Sequence, residues 1–341
     1  MRAAAASVDE LLATTSRTFA LTIPLLPEPT RREVALAYLL LRAFDTLEDA
    51  TLWTPARRVA ALDELQRLVA GLDVPGLRAW AARARRTPPS SDPACLDLLD
   101  ACPTLVEELR RLRVTARRTI LHHVARTARE MARFQEPAAL RSLAELRAYC
   151  YGVAGIVGEM LTDLFLLRPE PFQRLAPRLR RDAAAFGEGL QLVNVLRDHA
   201  VDARQGRVFL PPSIEPAAVF ALARRDLDRA GDYVLALQGS AAPRGLVMFT
   251  ALPVLLGRAT LDVLEEGARG KLTRGEVTGI VDELKRAVAD GRPAVRPDAR
   301  RRRSARRPPG AAPRRRARGG GAPAAPSRSS AARRGRGTPG G

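Results

Sequence analysis

Tyr38-Leu-Leu-Leu-Arg42-Ala-Phe-Asp45-Thr-Leu-Glu48-Asp49 is the stretch on which the reading of this chain turns. Its polar residues Tyr38, Arg42, Asp45 and Asp49 follow at steps of four, three and four, the spacing that gathers side chains on one face of an α-helix. The residues around them (VALAYLLLRAF) are otherwise apolar, so the segment reads as a helix with one polar stripe. Such a stripe is either a solvent face or the lining of a site. Carboxylates turned into a bundle need a counter-charge, because burying bare charge is costly. Magnesium is one candidate, since it takes a few carboxylate oxygens and keeps positions for water and substrate phosphates.

A second stretch, Gln191-Leu-Val-Asn194-Val-Leu-Arg197-Asp198-His-Ala-Val-Asp202, repeats the arrangement at steps of three, four and four. Gln191, Asn194, Asp198 and Asp202 share a face, and Gly206-Arg207-Val-Phe209-Leu-Pro211 ends the helix with a further arginine. Two helices, each with an i,i+4 aspartate pair preceded by an arginine, suit metal ions held between diphosphates, with Arg42, Arg197 and Arg207 neutralising phosphate oxygens. Glu159 and Asp163 form a competing i,i+4 pair in YCYGVAGIVGEMLTDLF. There Gly152, Gly155 and Gly158 recur every third residue, which fits close helix packing or a channel wall for a long apolar substrate.

Helical apolar spacing recurs over 31–49, 56–70, 104–134, 142–167, 178–204, 222–238, 244–268 and 274–290, separated by proline and glycine punctuation. Aromatic residues are only 4% of the chain, and no alternating Val, Ile and Thr run stands out as a strand. The expected fold is all-α, about eight helices in one bundle. No glycine-rich phosphate loop, tandem repeat or Cys/His cluster is present, so the chemistry is expected on helix faces.

The formal charge of +19 is unevenly distributed. Residues 292–341 hold 16 of the 56 Lys and Arg but one of the 37 acids, which accounts for +15 and leaves the body at +4. This Arg, Pro, Gly and Ala tail has almost nothing to bury and is expected to be disordered, giving a division into a catalytic domain, 1–291, and a basic tail, 292–341. It lacks the aromatic residues that stack on bases, so no specific nucleic-acid partner is expected. Cys95, Cys102 and Cys150 are odd in number and have no metal-ligand spacing, which fits a reduced cytosol. Asp9 and Glu10 stand where a signal peptide needs its apolar core, so a cytoplasmic protein, soluble or peripheral on a membrane, is expected.

Ser16-Arg17-Thr18-Phe19, YLLLRAFDTLED, YCYGVAGIVGE, QLVNVLRD with GRVFLP, and FTALP at 249–253 together resemble the squalene/phytoene synthase family, in the family's order, over about residues 14–290. The resemblance implies an all-α isoprenoid synthase fold with a central apolar cavity, binding of Mg2+, and two allylic prenyl diphosphates as substrates. It puts Asp45, Glu48, Asp49, Asp198 and Asp202 at the family's metal-associated acids, with Gln191 and Asn194 on the same face. Arg17, Arg42, Arg197 and Arg207 fall at diphosphate-contacting positions. Phe19, Tyr38 and Phe249, with Tyr149 and Tyr151 as weaker matches, fall where the family faces developing carbocations.

The implied reaction is a head-to-head condensation of two farnesyl diphosphates through a cyclopropyl diphosphate to squalene. The form DTLED and the segment Lys271-Leu-Thr-Arg274-Gly275, which resembles a KxxKG segment near the reductant, lean towards squalene and imply NADPH. The alternative is a phytoene or dehydrosqualene synthase, which needs no reductant. An alternative of another class is a non-catalytic scaffold relative, which would be free to lose aspartates that are all present here. Two positions depart from the family pattern: Val201 replaces a glutamate of Asp-x-x-Glu-Asp, and Gly152 stands where animal-type squalene synthases carry a tyrosine. A monomer or homodimer fits either reading.

Overall fold

The computed structural model describes residues 7–16, 18–135, 140–168, 172–204, 207–210, 213–240, 242–267 and 271–296. Among them the chain is helical throughout, with no strand. The first helices are α1 (Val8–Thr15), started by a reciprocal Ser7 and Glu10 capping box, and α2 (Phe19–Thr22), continued by a 3-10 turn, Ile23–Leu25. Then follow α3 (Thr30–Glu48), α4 (Pro55–Ala70), α5 (Val74–Arg86), α6 (Pro93–Arg111) and α7 (Val114–Arg133). Next, α8 (Leu143–Cys150) runs through a π-helical turn, Tyr151–Gly155, into α9 (Ile156–Leu166). The chain closes with α10 (Phe172–Arg204), α11 (Pro216–Gly239), α12 (Arg244–Glu265) and α13 (Arg274–Ala289).

Among the described residues the helices outnumber the expected eight, and for α5 and for the division of α6 from α7 the physical reason is plain. Helices α4, α5, α6 and α11 each carry proline in their first two positions, where the missing N–H costs nothing, so Pro75 and Pro93 begin helices that proline punctuation had hidden. The expected helix 104–134 is broken at Leu112 and Arg113, whose ψ angles of 158° and 141° are extended. Both α6 and α7 pack against α3, which a straight rod of about 46 Å could not do with both its halves.

Helix α3 lies at the centre. Leu36, Leu39, Leu40, Phe44 and Leu47 are 0–1% exposed, leaving its polar stripe as the one face not given to packing. Helix α10 is its counterpart, packed on α9, α11 and α12. The α9 and α10 backbones cross in contact: a Cβ at Gly158 would lie 2.1 Å from the Ala183 carbonyl oxygen, and one at Gly187 1.9 Å from that of Ala154. The glycine spacing therefore serves close packing here. Leu143–Leu166 and Arg244–Glu265 are long and apolar enough to cross a membrane, but both are largely buried in the bundle.

The packed body runs past the expected boundary at 291. Ala294 and Val295 are 5% and 1% exposed, the Ala294 N–H donates to Gln238 Oε1 at 2.8 Å, and Arg292 pairs with Glu283 at 2.9 Å. Sequence reasoning missed this because two small residues between arginines make no periodic signal. Residues 297–341, most of the expected tail, lie outside the described residues. We place the proposed boundary after Arg296. A chain ending at 296 is expected to keep the full-length melting temperature, while one ending at 291 loses about 1–3 kcal/mol of burial and melts lower by calorimetry. Equal melting of the two truncations would show that 292–296 contribute nothing.

Candidate functional site

A cavity of about 570 Å3 lies between α3, the π-helical turn with α9, α10 and α12. Its apolar wall includes Ile23, Val34, Leu41, Val157, Leu161 and Leu190. Phe19, Tyr38 and Phe249 also line it and form an aromatic group, with Phe19 centred 5.2 Å from Tyr38 and 6.1 Å from Phe249. Tyr38 donates its hydroxyl to the Thr15 carbonyl at 3.4 Å. The charged end is built from the two polar stripes: Arg42 and Asp45 of α3, Gln191, Asn194 and Arg197 of α10. Asn194 Nδ2 donates to Gln191 Oε1 at 3.3 Å.

One turn beyond these lining residues the stripes continue as Asp49, which caps the end of α3, and as Asp198 and Asp202 on α10. Arg207, just past α10, joins the two helices: its guanidinium pairs with Asp49 and, at 2.9 Å, with Asp202. The Arg207 N–H also donates to the Asp202 carbonyl at 2.9 Å, which holds the arginine's backbone against the helix end. Within each stripe an arginine pairs with its neighbouring acid, Arg42 with Asp45 and Arg197 with Asp198, the latter through two hydrogen bonds.

The electrostatics record an excess of carboxylate. Desolvation and the neighbouring Asp49 push Asp45 up to about 6 against the pull of Arg42. Glu48, 8% exposed, is raised well above its ordinary value by burial and then by Asp45 and Asp49. Asp202 is raised by desolvation, with Asp198 and Asp49 adding to it and Arg207 opposing. Such an assembly of hard oxygen donors under mutual repulsion fits a divalent cation of the magnesium class. Among the described residues, no three His, Cys, Asp or Glu side chains converge as they stand on one point that could hold a metal ion. Their carboxylates are turned to arginines instead.

Sequence expectation and structure meet unevenly. Phe19, Tyr38, Phe249, Arg42, Asp45, Gln191, Asn194 and Arg197 line the cavity. Tyr149 does not, but it is buried beside the acids: burial raises it well above its ordinary value, with Glu48, Asp49 and Asp45 adding to the effect. It stacks on Phe209 at 4.8 Å. Tyr151 turns away, accepting from Arg126 at 2.7 Å and donating to Glu159 at 3.1 Å. The competing acids belong to that same face, Glu159 paired with Arg126 and Asp163 with His123 and Arg180, so neither joins the stripes. Lys271 and Arg274 are exposed before and at the start of α13 and border neither the main cavity nor a smaller one beside Arg168. Arg17 lies outside the described residues.

Arg58 of α4 was missed by sequence reading. Its guanidinium donates to the Ala50 and Trp53 carbonyls and to Gln135, and so braces the turn that follows Asp49. Burial and then Arg207 lower it, while Asp49 and Glu48 oppose. Its segment, PARRVAALDELQ, carries no signal that distinguishes it from surface charge.

Comparisons with known proteins bear on this architecture. Residues 12–215 match the sequence model of the family described as squalene/phytoene synthase. The squalene synthase of Eremothecium gossypii is 27% identical over 279 residues, covering 74% of this chain and 60% of that protein. That of Bos taurus is 32% identical over 201 residues, covering 58% and 44%. The chain thus spans about half the length of these relatives. Among solved structures, the TcSQS complex with the ligand E5700 aligns with a TM-score of 0.67 at 24% identity, covering 83% of this chain and 87% of that one. A dehydrosqualene synthase complex aligns at 0.50 and 16%, covering 83% and 95%. An all-α isoprenoid synthase fold and a family match over residues 12–215, more than half of the chain, establish that this protein belongs to the squalene/phytoene synthase family.

Proposed function

We propose that this chain condenses two allylic prenyl diphosphates head to head, with farnesyl diphosphate as substrate and squalene as product. The observation that carries the reading is one cavity with Arg42, Arg197 and Asp45 at one end and aromatic and aliphatic walls along the rest, the polarity of a prenyl diphosphate. Asp45, Glu48, Asp49, Asp198 and Asp202 would hold magnesium, which when bound supplies positive charge to a leaving diphosphate.

The chain's own residues account for the remaining requirements. Arg42, Arg197 and Arg207 neutralise diphosphate oxygens as the allylic C–O bond breaks and its electron pair departs with the diphosphate. The cation so formed lies among the faces of Phe19, Tyr38 and Phe249, whose quadrupoles are negative. The double bond of the second substrate attacks it, and proton loss closes a cyclopropyl diphosphate. Apolar walls keep water from quenching the cation to an alcohol. Reduction to squalene further needs a hydride from NADPH as co-substrate. Lys271 and Arg274, which line neither cavity, supply no geometry for that step.

A second reading, a dehydrosqualene or phytoene synthase, draws on Gly152. A Cβ there would meet the Glu130 side chain at 2.6 Å, so the tyrosine of animal-type enzymes has no room without displacing Glu130. Purified protein incubated with Mg2+ and farnesyl or geranylgeranyl diphosphate, with and without NADPH, is expected to yield squalene from farnesyl diphosphate only when NADPH is present. The same hydrocarbon with and without NADPH would replace squalene by the reductant-free product. Absence of any condensation product would overturn the enzymatic reading.

A further inference from the structure

Among the described residues, Arg207 is the one that pairs with acids of both stripes, Asp49 and Asp202. These are two of the five carboxylates assigned above to the metal, so a cation that takes them must displace a guanidinium already held. Arg207 is fixed at its backbone by the Asp202 carbonyl, and Phe209, two residues on, is stacked on Tyr149, so its base is anchored independently of its side chain. Arg58, braced on the Ala50 and Trp53 carbonyls, lies near enough to repel it. The two acid partners therefore help to set the position of the arginine.

We propose that Arg207 is an exchangeable counter-ion: it holds the two acid stripes together through Asp49 and Asp202 until a divalent cation takes these carboxylates, and the released guanidinium then binds the substrate's diphosphate. The proposal rests on the metal-diphosphate reading and adds an order of events to it. Metal and arginine compete for the same oxygens, and metal and diphosphate cooperate through the arginine. Coupling of this kind is reciprocal, so diphosphate must also tighten metal binding.

The test uses the full chain, stripped with EDTA and titrated with Mg2+ alone and then with inorganic pyrophosphate, followed by thermal shift and calorimetry. In Arg207→Gln the guanidinium on Asp49 and Asp202 no longer has to be displaced, so Mg2+ is expected to bind about tenfold more tightly than in wild type, while pyrophosphate binding in Mg2+ weakens by about tenfold. Arg207→Lys, a point charge that cannot fork between two carboxylates, is expected to fall between them and serves if the glutamine variant does not fold. Arg58→Gln removes a nearby charge that pairs with neither aspartate, and it separates exchange from a general field. Unchanged or weaker Mg2+ binding in Arg207→Gln, or equal tightening in Arg58→Gln, overturns the exchange while the metal reading stands. No Mg2+ response in any of the proteins overturns the metal reading itself.

Discussion

Asp45→Asn and Asp198→Asn are each expected to lower turnover by at least about a hundredfold, a loss of about 2.7 kcal/mol in transition-state stabilisation, with helix content unchanged by circular dichroism. The two positions differ in setting, which makes the pair informative. Asp45 borders the cavity, paired to Arg42 and pushed up by desolvation and Asp49. Asp198 lies a turn beyond the lining residue Asn194, paired to its own neighbour Arg197. Asparagine is nearly isosteric with aspartate, so packing is preserved and the anionic ligand is removed. At Asp45 it also relieves repulsion with Asp49, so stability is expected to hold or rise slightly while activity falls. Retention of more than about a tenth of the activity in both variants would sink the assignment of these stripes as metal-diphosphate sites.

Gly158→Ala is expected to destabilise the protein by about 2 kcal/mol, seen as a lower midpoint in urea unfolding. The added methyl would lie 2.1 Å from the Ala183 carbonyl oxygen, and that oxygen belongs to a helix backbone that cannot rotate aside. Helices α9 and α10 must separate, and both form cavity walls, so turnover is expected to fall with stability. Intrinsic helix propensity runs the other way by about 1 kcal/mol, which provides the control. Gly279 on α13 is exposed and has nothing within 4 Å of its would-be Cβ, so Gly279→Ala is expected to stabilise by up to that amount. A neutral Gly158→Ala would mean that the crossing is looser than the structure has it.

Much of the site was legible because helical periodicity is a local property. Steps of three and four predict a shared face wherever a helix forms, and the stripes on α3 and α10 appear as expected, with Tyr38, Arg42 and Asp45 on one and Gln191 and Asn194 on the other lining the cavity. The all-α character followed in the same way from spacing and from the lack of strand signals. Helix ends were less legible. Proline marks a stop inside a helix and a start at its first turn, so Pro93 concealed the first half of α6, while the break at Leu112 has no local cause at all.

By itself the sequence determined the helical class, the composition of the two polar stripes and the concentration of positive charge in the last fifty residues, because each depends only on residue type and spacing along the chain. Which side of the YCYGVAGIVGE helix faces the cavity was decided only by tertiary packing. Three acid pairs share the same i,i+4 spacing, and those of the α3 and α10 stripes meet through Arg207 only because the fold sets both helices around one cavity, while Glu159 and Asp163 are drawn to Arg126, His123 and Arg180 on another face. The same holds for Arg58 and for the burial of Val295. Arg58 reaches Gln135, 77 residues further along, and a contact or burial of this kind exists only once helix against helix has been packed.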